Sequence, residues 1–220
     1  MTAGMIEWQG IRRDAAYELA ATALLLIDMQ RIWVEPGLDP GKSPATAEYF
    51  YGRLAQVVRN QKLLIGAARS AGTQVIHTII RSHTNDGRDR SLDHKLSDIH
   101  VRPDDPNGEV IDDLWPLRDE IVLPKTSSGV FNSTNLNYLL RNLGVRFLIV
   151  AGIVTDQCVD MAVRDGADLG YLVTCVSDAC ATYTQERHDA ALRAFGGYCW
   201  IADTATVTGR LRRLMTPANA

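Results

Sequence analysis

The stretch FLIVAGIVTDQCVDMAVRDG, residues 147–166, decides the fold. Its first five residues form a continuous apolar run, which is typical of a parallel strand that is buried on both faces. Further along, Val159, Ala162 and Val163 recur at helical spacing. Cys158 lies between the two patterns, where the strand gives way to the helix. The stretch therefore predicts a strand–turn–helix unit with a cysteine in its turn.

The same alternation of apolar runs and helical patterns continues along the rest of the chain. Three helical patterns lie at residues 54–68, at 136–143 and from about 184 to 195. The other apolar runs are Ala23–Ile27, Gln74–Ile80, Glu120–Leu123, Tyr171–Val176 and Tyr198–Ile201. Such alternation predicts an α/β fold of three layers, α/β/α, with a doubly wound parallel sheet. In sheets of this kind, ligands bind outside the carboxyl ends of the strands.

Length and composition are those of one globular domain spanning residues 1–220. The chain is 46% hydrophobic and has a formal net charge of -3, which gives no electrostatic footprint for nucleic acid or an anionic membrane. There is no apolar run of membrane-spanning length and no leader pattern at the start. The four cysteines form neither CxxC pairs nor a disulfide scaffold. We expect a cytoplasmic protein with reduced thiols.

Residues 81–119 interrupt the alternation with a long polar stretch of weak periodicity. A segment of this length without clear structure usually carries function or is disordered. Two interpretations stay open, a solvated surface loop with one short helix or a cap over the active site. The cap would require Arg81 or His83 to face inward.

Three reactive side chains, Asp28, Lys125 and Cys158, lie at or just past the carboxyl ends of predicted strands. Taken singly, each has an ordinary explanation: a loop cap, a surface lysine and a buried small hydrophobe. Cys158 differs by its position, because the unpaired N–H groups of a helix N-terminus favour a thiolate. Together the three form a constellation of base, electrostatic stabiliser and nucleophile.

The residues around these side chains carry a family resemblance. The motifs are LLLIDMQ at 24–30, LPKTSSGVFNSTNL at 123–136 and GIVTDQCV at 152–159. With them the chain resembles the isochorismatase-like cysteine hydrolases, which include nicotinamidases, N-carbamoylsarcosine amidohydrolases, ureidoacrylate and biuret hydrolases, and isochorismatase. The resemblance implies a Rossmann-like sheet of six parallel strands and a homodimer or homotetramer. It also implies that Asp28, Lys125 and Cys158 form a catalytic triad.

Further expectations concern the turn before the cysteine and the pocket around it. The resemblance implies a non-proline cis peptide between Val154 and Thr155. The backbone N–H groups of Thr155 and Cys158 would then form an oxyanion hole.

Four residues are candidates for binding the substrate. Trp33 and Phe131 are candidate pocket walls. Arg81 and His83 could bind a carboxylate or a carbonyl oxygen of a ureido or carbamoyl acid.

No metal or other cofactor is expected. Nicotinamidases of the family bind a divalent metal through an Asp-x-His pair, which the corresponding stretch IHTIIRSHTNDG at 76–87 lacks. Most of the histidines are interpreted as surface residues or supports of the site, and His188 as a structural residue.

The function predicted from these residues is hydrolysis of a C–N bond in a small carbamoyl, ureido or amide compound through a thioester. One alternative is vinyl ether hydrolysis of an isochorismate-like acid, which need not use the cysteine. A second is a non-catalytic interaction module, whose mark would be a broken triad. A generic nucleotide-binding sheet is disfavoured because neither G-x-G-x-x-G nor G-x-x-x-x-G-K-[ST] occurs.

Overall fold

A computed structural model of the chain describes residues 10–38 and 43–215. Its strands all pair in parallel, in the order β3-β2-β1-β4-β5-β6. They are β1 Thr22–Ile27, β2 Gln74–Ile80, β3 Ile121–Lys125, β4 Phe147–Ile153, β5 Leu172–Ala181 and β6 Trp200–Ala202. The predicted doubly wound, six-stranded parallel sheet is confirmed.

Helices cover both faces of this sheet. They are α1 Arg31–Val34, α2 Pro44–Ala71, α3 Leu92–Leu96, α4 Val130–Ser133, α5 Leu136–Asn142, α6 Asp160–Asp168, α7 Gln185–Phe195 and α8 Thr204–Met215. Helices α2 and α8 pack together on one face, while α6 contacts α4 and α7 on the other. Within residues 10–38 and 43–215, no helix combines the length and the apolar character needed to cross a bilayer.

The central strands explain the continuous apolar runs in the sequence. Every residue of β1 and β4 is buried, because helices cover both faces of the sheet there. Strand β5 runs to Ala181, five residues beyond its predicted end. Polar Ser177 and Asp178 sit inside it and bond outward, Ser177 to the Ala202 carbonyl and Asp178 to Thr204. Their polarity is the reason that the sequence pattern ended the strand too early.

The start of one helix also differs from the sequence pattern. Helix α2 begins ten residues before the predicted start, where the hydroxyl of Ser43 accepts a hydrogen bond from the Thr46 N–H. It ends at Gly72, whose φ of 69° is left-handed. Asn135 occupies the N-cap position of α5. Residues 130–133 form the separate turn α4 just before it.

Strand order reverses beside β1, which lies between β2 and β4. Asp28 follows β1 directly, Lys125 is the last residue of β3, and Cys158 lies in the turn after β4. The three strands end at the same edge of the sheet, because all of them run in parallel. The topology thus brings residues that are up to 130 positions apart to one place.

The 81–119 segment is anchored along the end of β3 and reaches over this edge. The Arg81 N–H donates to the Lys125 carbonyl, and the Ser91 N–H to the Thr126 carbonyl. Ile99 of the segment lines the cavity in which Cys158 lies. Neither Arg81 nor His83 lines this cavity, so the condition stated for a cap is not met, and apolar Ile99 is the residue of the segment that reaches the cavity.

Candidate active site

The side chains of Asp28, Lys125 and Cys158 meet beneath a small cavity. Lys125 Nζ lies 2.8 Å from Asp28 Oδ2 and 3.5 Å from Cys158 Sγ. It also donates to the Ser127 carbonyl at 2.9 Å. The lysine is fully buried and Asp28 is 2% exposed, so water barely screens these charges. The three side chains that the sequence singled out are thus in mutual contact.

Asp28 occupies a backbone conformation that fixes its carboxylate. Its φ is 54°, in the left-handed region that is rare for a residue with a side chain. The Asp28 N–H donates to the Thr78 carbonyl, and the Thr78 hydroxyl donates to Oδ1 at 2.9 Å. Oδ2 faces Lys125 but accepts no hydrogen bond of good geometry. One carboxylate oxygen thus remains available to accept a proton.

Burial disfavours the thiolate form of Cys158. The net pKa of the thiol is raised to about 12, mainly by burial; Lys125 lowers the pKa, and Asp28 raises it. Burial thus acts against the thiolate that the helix start was expected to favour. Because Cys158 is only 5% exposed, the loss of hydration outweighs the helix terminus.

Lys125 stays an ammonium despite its burial. Burial by itself lowers the pKa of Lys125, but the attraction of Asp28 and Cys158 outweighs it, and the net pKa is raised. The ammonium thus lies next to both the acid Asp28 and the nucleophile Cys158. The site contains a base beside the nucleophile and a cation able to stabilise the thiolate once it forms.

The turn that leads to Cys158 contains a cis peptide, one residue earlier than expected. The cis bond joins Ile153 to Val154, and the predicted position between Val154 and Thr155 is wrong. Val154 is the N-cap of the turn Thr155–Val159, so the bond that follows it already belongs to the helical turn, where peptides are trans.

The Thr155 hydroxyl lies 2.9 Å from Nδ1 of His188, and both side chains are buried. The backbone of Ser177 also bonds the same imidazole, and burial lowers the pKa of His188. The imidazole thus holds the turn Thr155–Val159 in place through the Thr155 hydroxyl. This agrees with the structural role expected for His188.

The cavity above Cys158 is small, about 60 Å³, and its walls are mostly apolar. Trp33 lines it, as the sequence predicted, and its indole N–H donates to Oε1 of Gln30 at 3.1 Å. The other lining residues, besides Asp28 and Cys158, are Phe50, Ile80, Ile99, Ser128, Ile153, Val154, Gln157 and Tyr183.

The other three predicted substrate-binding residues lie elsewhere, and their assignment to the pocket is corrected. Arg81 forms an ion pair with Glu109 at 2.6 Å, which directs its guanidinium away from the cavity. His83 is exposed at the surface. Phe131 stacks on Tyr171, with ring centroids 6.1 Å apart, and thus completes the packing beside α6.

Gln30 holds the site together and was not identified from the sequence. Its amide donates to the carbonyls of Ile80 and Gly108, at 2.9 and 2.8 Å, and its oxygen accepts from the Ile80 N–H at 2.7 Å. One fully buried side chain therefore joins the end of β2, the 81–119 segment and Trp33. The available signal was its place in LLLIDMQ, since a buried amide next to a strand end must find partners.

The described part of the chain contains no candidate metal site, because no three His, Cys, Asp or Glu side chains are grouped there to hold an ion. His77 and His94 are both buried rather than at the surface. The expectation of a site without metal or cofactor stays a prediction.

Comparison with known proteins places the chain in a family. The family model for the isochorismatase domain matches residues 22–206. A ureidoacrylate amidohydrolase from Serratia proteamaculans is 30% identical over 182 residues, which cover 74% of this chain and 71% of that protein. A protein from Arabidopsis thaliana named as a probable inactive nicotinamidase is 35% identical over 176 residues, 77% of this chain and 85% of its own. A solved structure of a cysteine hydrolase from Pseudomonas syringae pv. phaseolicola has a TM-score of 0.79 at 27% identity, covering 91% of this chain and 96% of that one. The chain therefore belongs to the isochorismatase family of hydrolases.

Proposed function

We propose that the protein is a cysteine-dependent amidohydrolase that cleaves a C–N bond of a small amide, ureido or carbamoyl compound through a thioester. The observation that carries the proposal is the contact of Lys125 with both Asp28 and Cys158 at the floor of the cavity. The amidohydrolase named among the relatives supports it.

In the first half of the reaction, Asp28 accepts the thiol proton while Sγ of Cys158 attacks the carbonyl carbon. Because burial raises the pKa of the thiol, we infer that the proton moves to Asp28 as the sulfur attacks. Lys125 stabilises the sulfur as it becomes anionic. Asp28 then gives the proton to the departing ammonia or amine, which leaves a thioester on Cys158.

In the second half, water attacks the thioester carbonyl and Asp28 takes its proton. The tetrahedral intermediate collapses, the carboxylic or carbamic acid leaves, and Cys158 regains a proton. In both halves the N–H groups of Thr155 and Cys158 would hold the oxyanion; losing one such donor typically costs about 2.7–4 kcal/mol of transition-state stabilisation.

The charges around the cavity favour an uncharged substrate. Among the described residues that line the wider groove above it, the acids are Asp93, Asp156 and Asp160 and the single arginine is Arg187. Arg187 Nε donates to Asp156 at 2.6 Å and so is already neutralised. The same contact neutralises Asp156, and Asp160 pairs with Arg164, so Asp93 is the acid of the groove that no described ion pair neutralises. Arg81 is paired with Glu109 and offers a substrate carboxylate no free cation. We therefore expect a neutral amide to be preferred over a carbamoyl acid.

The test is ammonia release from a panel of small amides, ureas and carbamoyl acids in metal-free buffer. Wild type should release ammonia, Cys158→Ala should not, and the control Cys199→Ala, at a buried thiol outside the site, should retain activity. Ammonia release that survives loss of Cys158 would overturn the thioester route, and no release from any compound of the panel would favour the vinyl ether alternative.

A matched substrate pair tests the charge preference. Pentanamide and succinamate have similar length, but only succinamate carries a carboxylate. We expect a higher kcat/KM for pentanamide. Asp93→Asn should narrow the difference in kcat/KM between the two substrates, since it removes one acid at the groove. Asp104→Asn, at an exposed acid outside the groove, should leave that difference unchanged. Faster hydrolysis of succinamate by wild type would contradict the preference.

A further inference from the structure

His94 is a buried imidazole with no part in the mechanism above. It lies on α3, within the 81–119 segment, and is 1% exposed. Ser91 caps the helix, and the Ser91 N–H is tied to the Thr126 carbonyl just after β3. These contacts fix the imidazole behind the loop that follows Lys125.

The imidazole contacts a serine of that loop. Nε2 of His94 lies 3.4 Å from Oγ of Ser128. Ser128 lines the same small cavity as Cys158, and the Ser128 hydroxyl lowers the pKa of the thiol. His94 therefore contacts a serine that shares the cavity of the reacting sulfur.

The direction of the Ser128 hydrogen decides what this contact does. A serine hydroxyl has one hydrogen, so it can donate either to the imidazole or to the sulfur. If Nε2 carries the ring proton and donates to Oγ, the hydroxyl hydrogen is left to point at Sγ. A hydroxyl that donates to the sulfur stabilises the thiolate, and this is the direction in which Ser128 shifts the pKa of Cys158.

We propose that the Ser128 hydroxyl is a second donor, besides Lys125, to the sulfur of Cys158 as it becomes anionic, and that His94 is a positioning residue that holds this hydroxyl in its donating orientation. This assignment deepens the proposed cysteine chemistry and rests on it. It gives the 81–119 segment a part in activating the nucleophile.

Charged groups surround both the thiol of Cys158 and the imidazole of His94. The thiol faces Lys125 and Asp28 in addition to Ser128. His94 faces Lys125 and Arg90, which disfavour its protonation, and Asp93 and Asp28, which favour it; burial is the largest influence and the net pKa is lowered. The imidazole is therefore neutral at and above neutral pH, and its contact with Ser128 does not change while the thiol is titrated.

The experiment measures the rate at which iodoacetamide alkylates Cys158 as a function of pH, with the modified peptide quantified by mass spectrometry. The reagent reacts with the thiolate, so the profile reports the apparent pKa of the thiol without any substrate. Ser128→Ala should raise that pKa and slow alkylation at neutral pH about tenfold, the order expected for losing a hydrogen bond to a charged group. The control Ser133→Ala, at a hydroxyl that donates to the Gly129 carbonyl, should alkylate at the wild-type rate.

Two variants of His94 separate positioning from bulk structure. His94→Phe should slow alkylation in the same direction as Ser128→Ala, and His94→Gln, which keeps an N–H donor, should restore most of the rate. Combining His94→Phe with Ser128→Ala should slow the reaction no more than Ser128→Ala alone, because the ring acts through the hydroxyl.

Three results would overturn the assignment: an alkylation rate of Ser128→Ala equal to that of wild type, an equal loss of rate in Ser133→Ala, or additive losses of rate in the double variant. Urea unfolding of each variant shows whether a slower rate reflects the site or the fold. Failure of the protein to hydrolyse any amide would sink the proposed function but leave the alkylation profile readable, so the two failures are distinguishable.

Discussion

At Lys125, one buried ammonium balances two acidic groups that share the same pocket. It contacts the carboxylate of Asp28 and the sulfur of Cys158, and no water reaches it. A buried pair of this kind loses hydration on both partners, so it adds little net stability by itself. Here the ammonium stabilises the charge that moves from Asp28 to the sulfur.

Replacing Lys125 by methionine should abolish most of the activity and destabilise the fold. The change leaves the Asp28 carboxylate buried without its cation, which typically costs about 3–5 kcal/mol. The loss of a positioned electrostatic group should reduce kcat/KM by about 10²–10³. Ammonia release and urea unfolding measure the two effects. Lys62→Met is the control, because Lys62 is 52% exposed and its surface pair with Asp113 contributes at most about 1 kcal/mol. Full activity in Lys125→Met would contradict the account.

His77, in the middle of β2, makes the stability of the fold depend on pH. Burial lowers its pKa from 6.5 to about 4 and outweighs the attraction of Glu120, 3.6 Å away. The imidazole is thus neutral at pH 7 and this contact is no ion pair. Between pH 6.5 and 4 the unfolded chain binds a proton that the folded chain does not. Stability is fully present above pH 6.5 and falls as the pH drops, by on the order of 3 kcal/mol at pH 4.

We therefore expect His77→Gln to lose less stability than wild type between pH 7 and pH 4. Urea unfolding at pH 7, 5.5 and 4 measures the difference. His83→Gln, at an exposed histidine, should follow wild type. If His77→Gln kept the full pH dependence of wild type, the cause would lie in other groups.

At the scale of elements, the pairing of β1 with β4 requires a glycine. Gly152 lies opposite Ile27 and has a φ of 136°. A Cβ at this position would lie 2.3 Å from the Ile27 carbonyl oxygen and 2.6 Å from its nitrogen. The close approach lets the turn after β4 place Cys158 next to the residue that follows β1.

Gly152→Ala should lower the free energy of unfolding by about 2 kcal/mol or more, because neither backbone can move without breaking the central pairing. The matched control is Gly66→Ala in α2, where no heavy atom lies within 4 Å of the added Cβ. Alanine is the better helix former, so the control should gain about 0.5–1 kcal/mol. Urea unfolding compares the two. A neutral Gly152→Ala would show that the strands tolerate a wider spacing.

The connection between β2 and β3 shows the limit of local patterns. Residues 81–119 contain little regular structure, so periodicity did not indicate their path. Gln30 holds the segment through the Gly108 carbonyl, and His94 packs behind Ser128. Both contacts join parts of the chain that are distant in sequence. No pattern within a window of residues could predict them.

At the scale of the whole molecule, the order of the strands creates the site. The chain adds β2 and β3 on one side of β1 and then returns to add β4 on the other. The crevice at this reversal is where doubly wound sheets bind ligands. Asp28 and Cys158 lie on its two sides, and Lys125 reaches both from the end of β3.

The resemblance to the family predicts a homodimer or homotetramer, and this stays a prediction. Light scattering coupled to size-exclusion chromatography should give a mass of two or four times the 24.3 kDa of the chain. A monomer over a range of protein concentrations would contradict it.

The sequence by itself determined the sheet and the identity of the three central side chains. Apolar runs reflect burial on both faces, and the residue at the end of a run lies at the edge where parallel strands place ligands. The tertiary structure alone decided the state and surroundings of those side chains. The position of Cys158 suggested a thiolate, yet burial by distant residues raised its pKa. Arg81 and Phe131 were predicted to bind the substrate, but contacts with Glu109 and Tyr171 hold their side chains outside the cavity. Electrostatics and packing depend on which distant residues come together, and a local pattern contains no record of them.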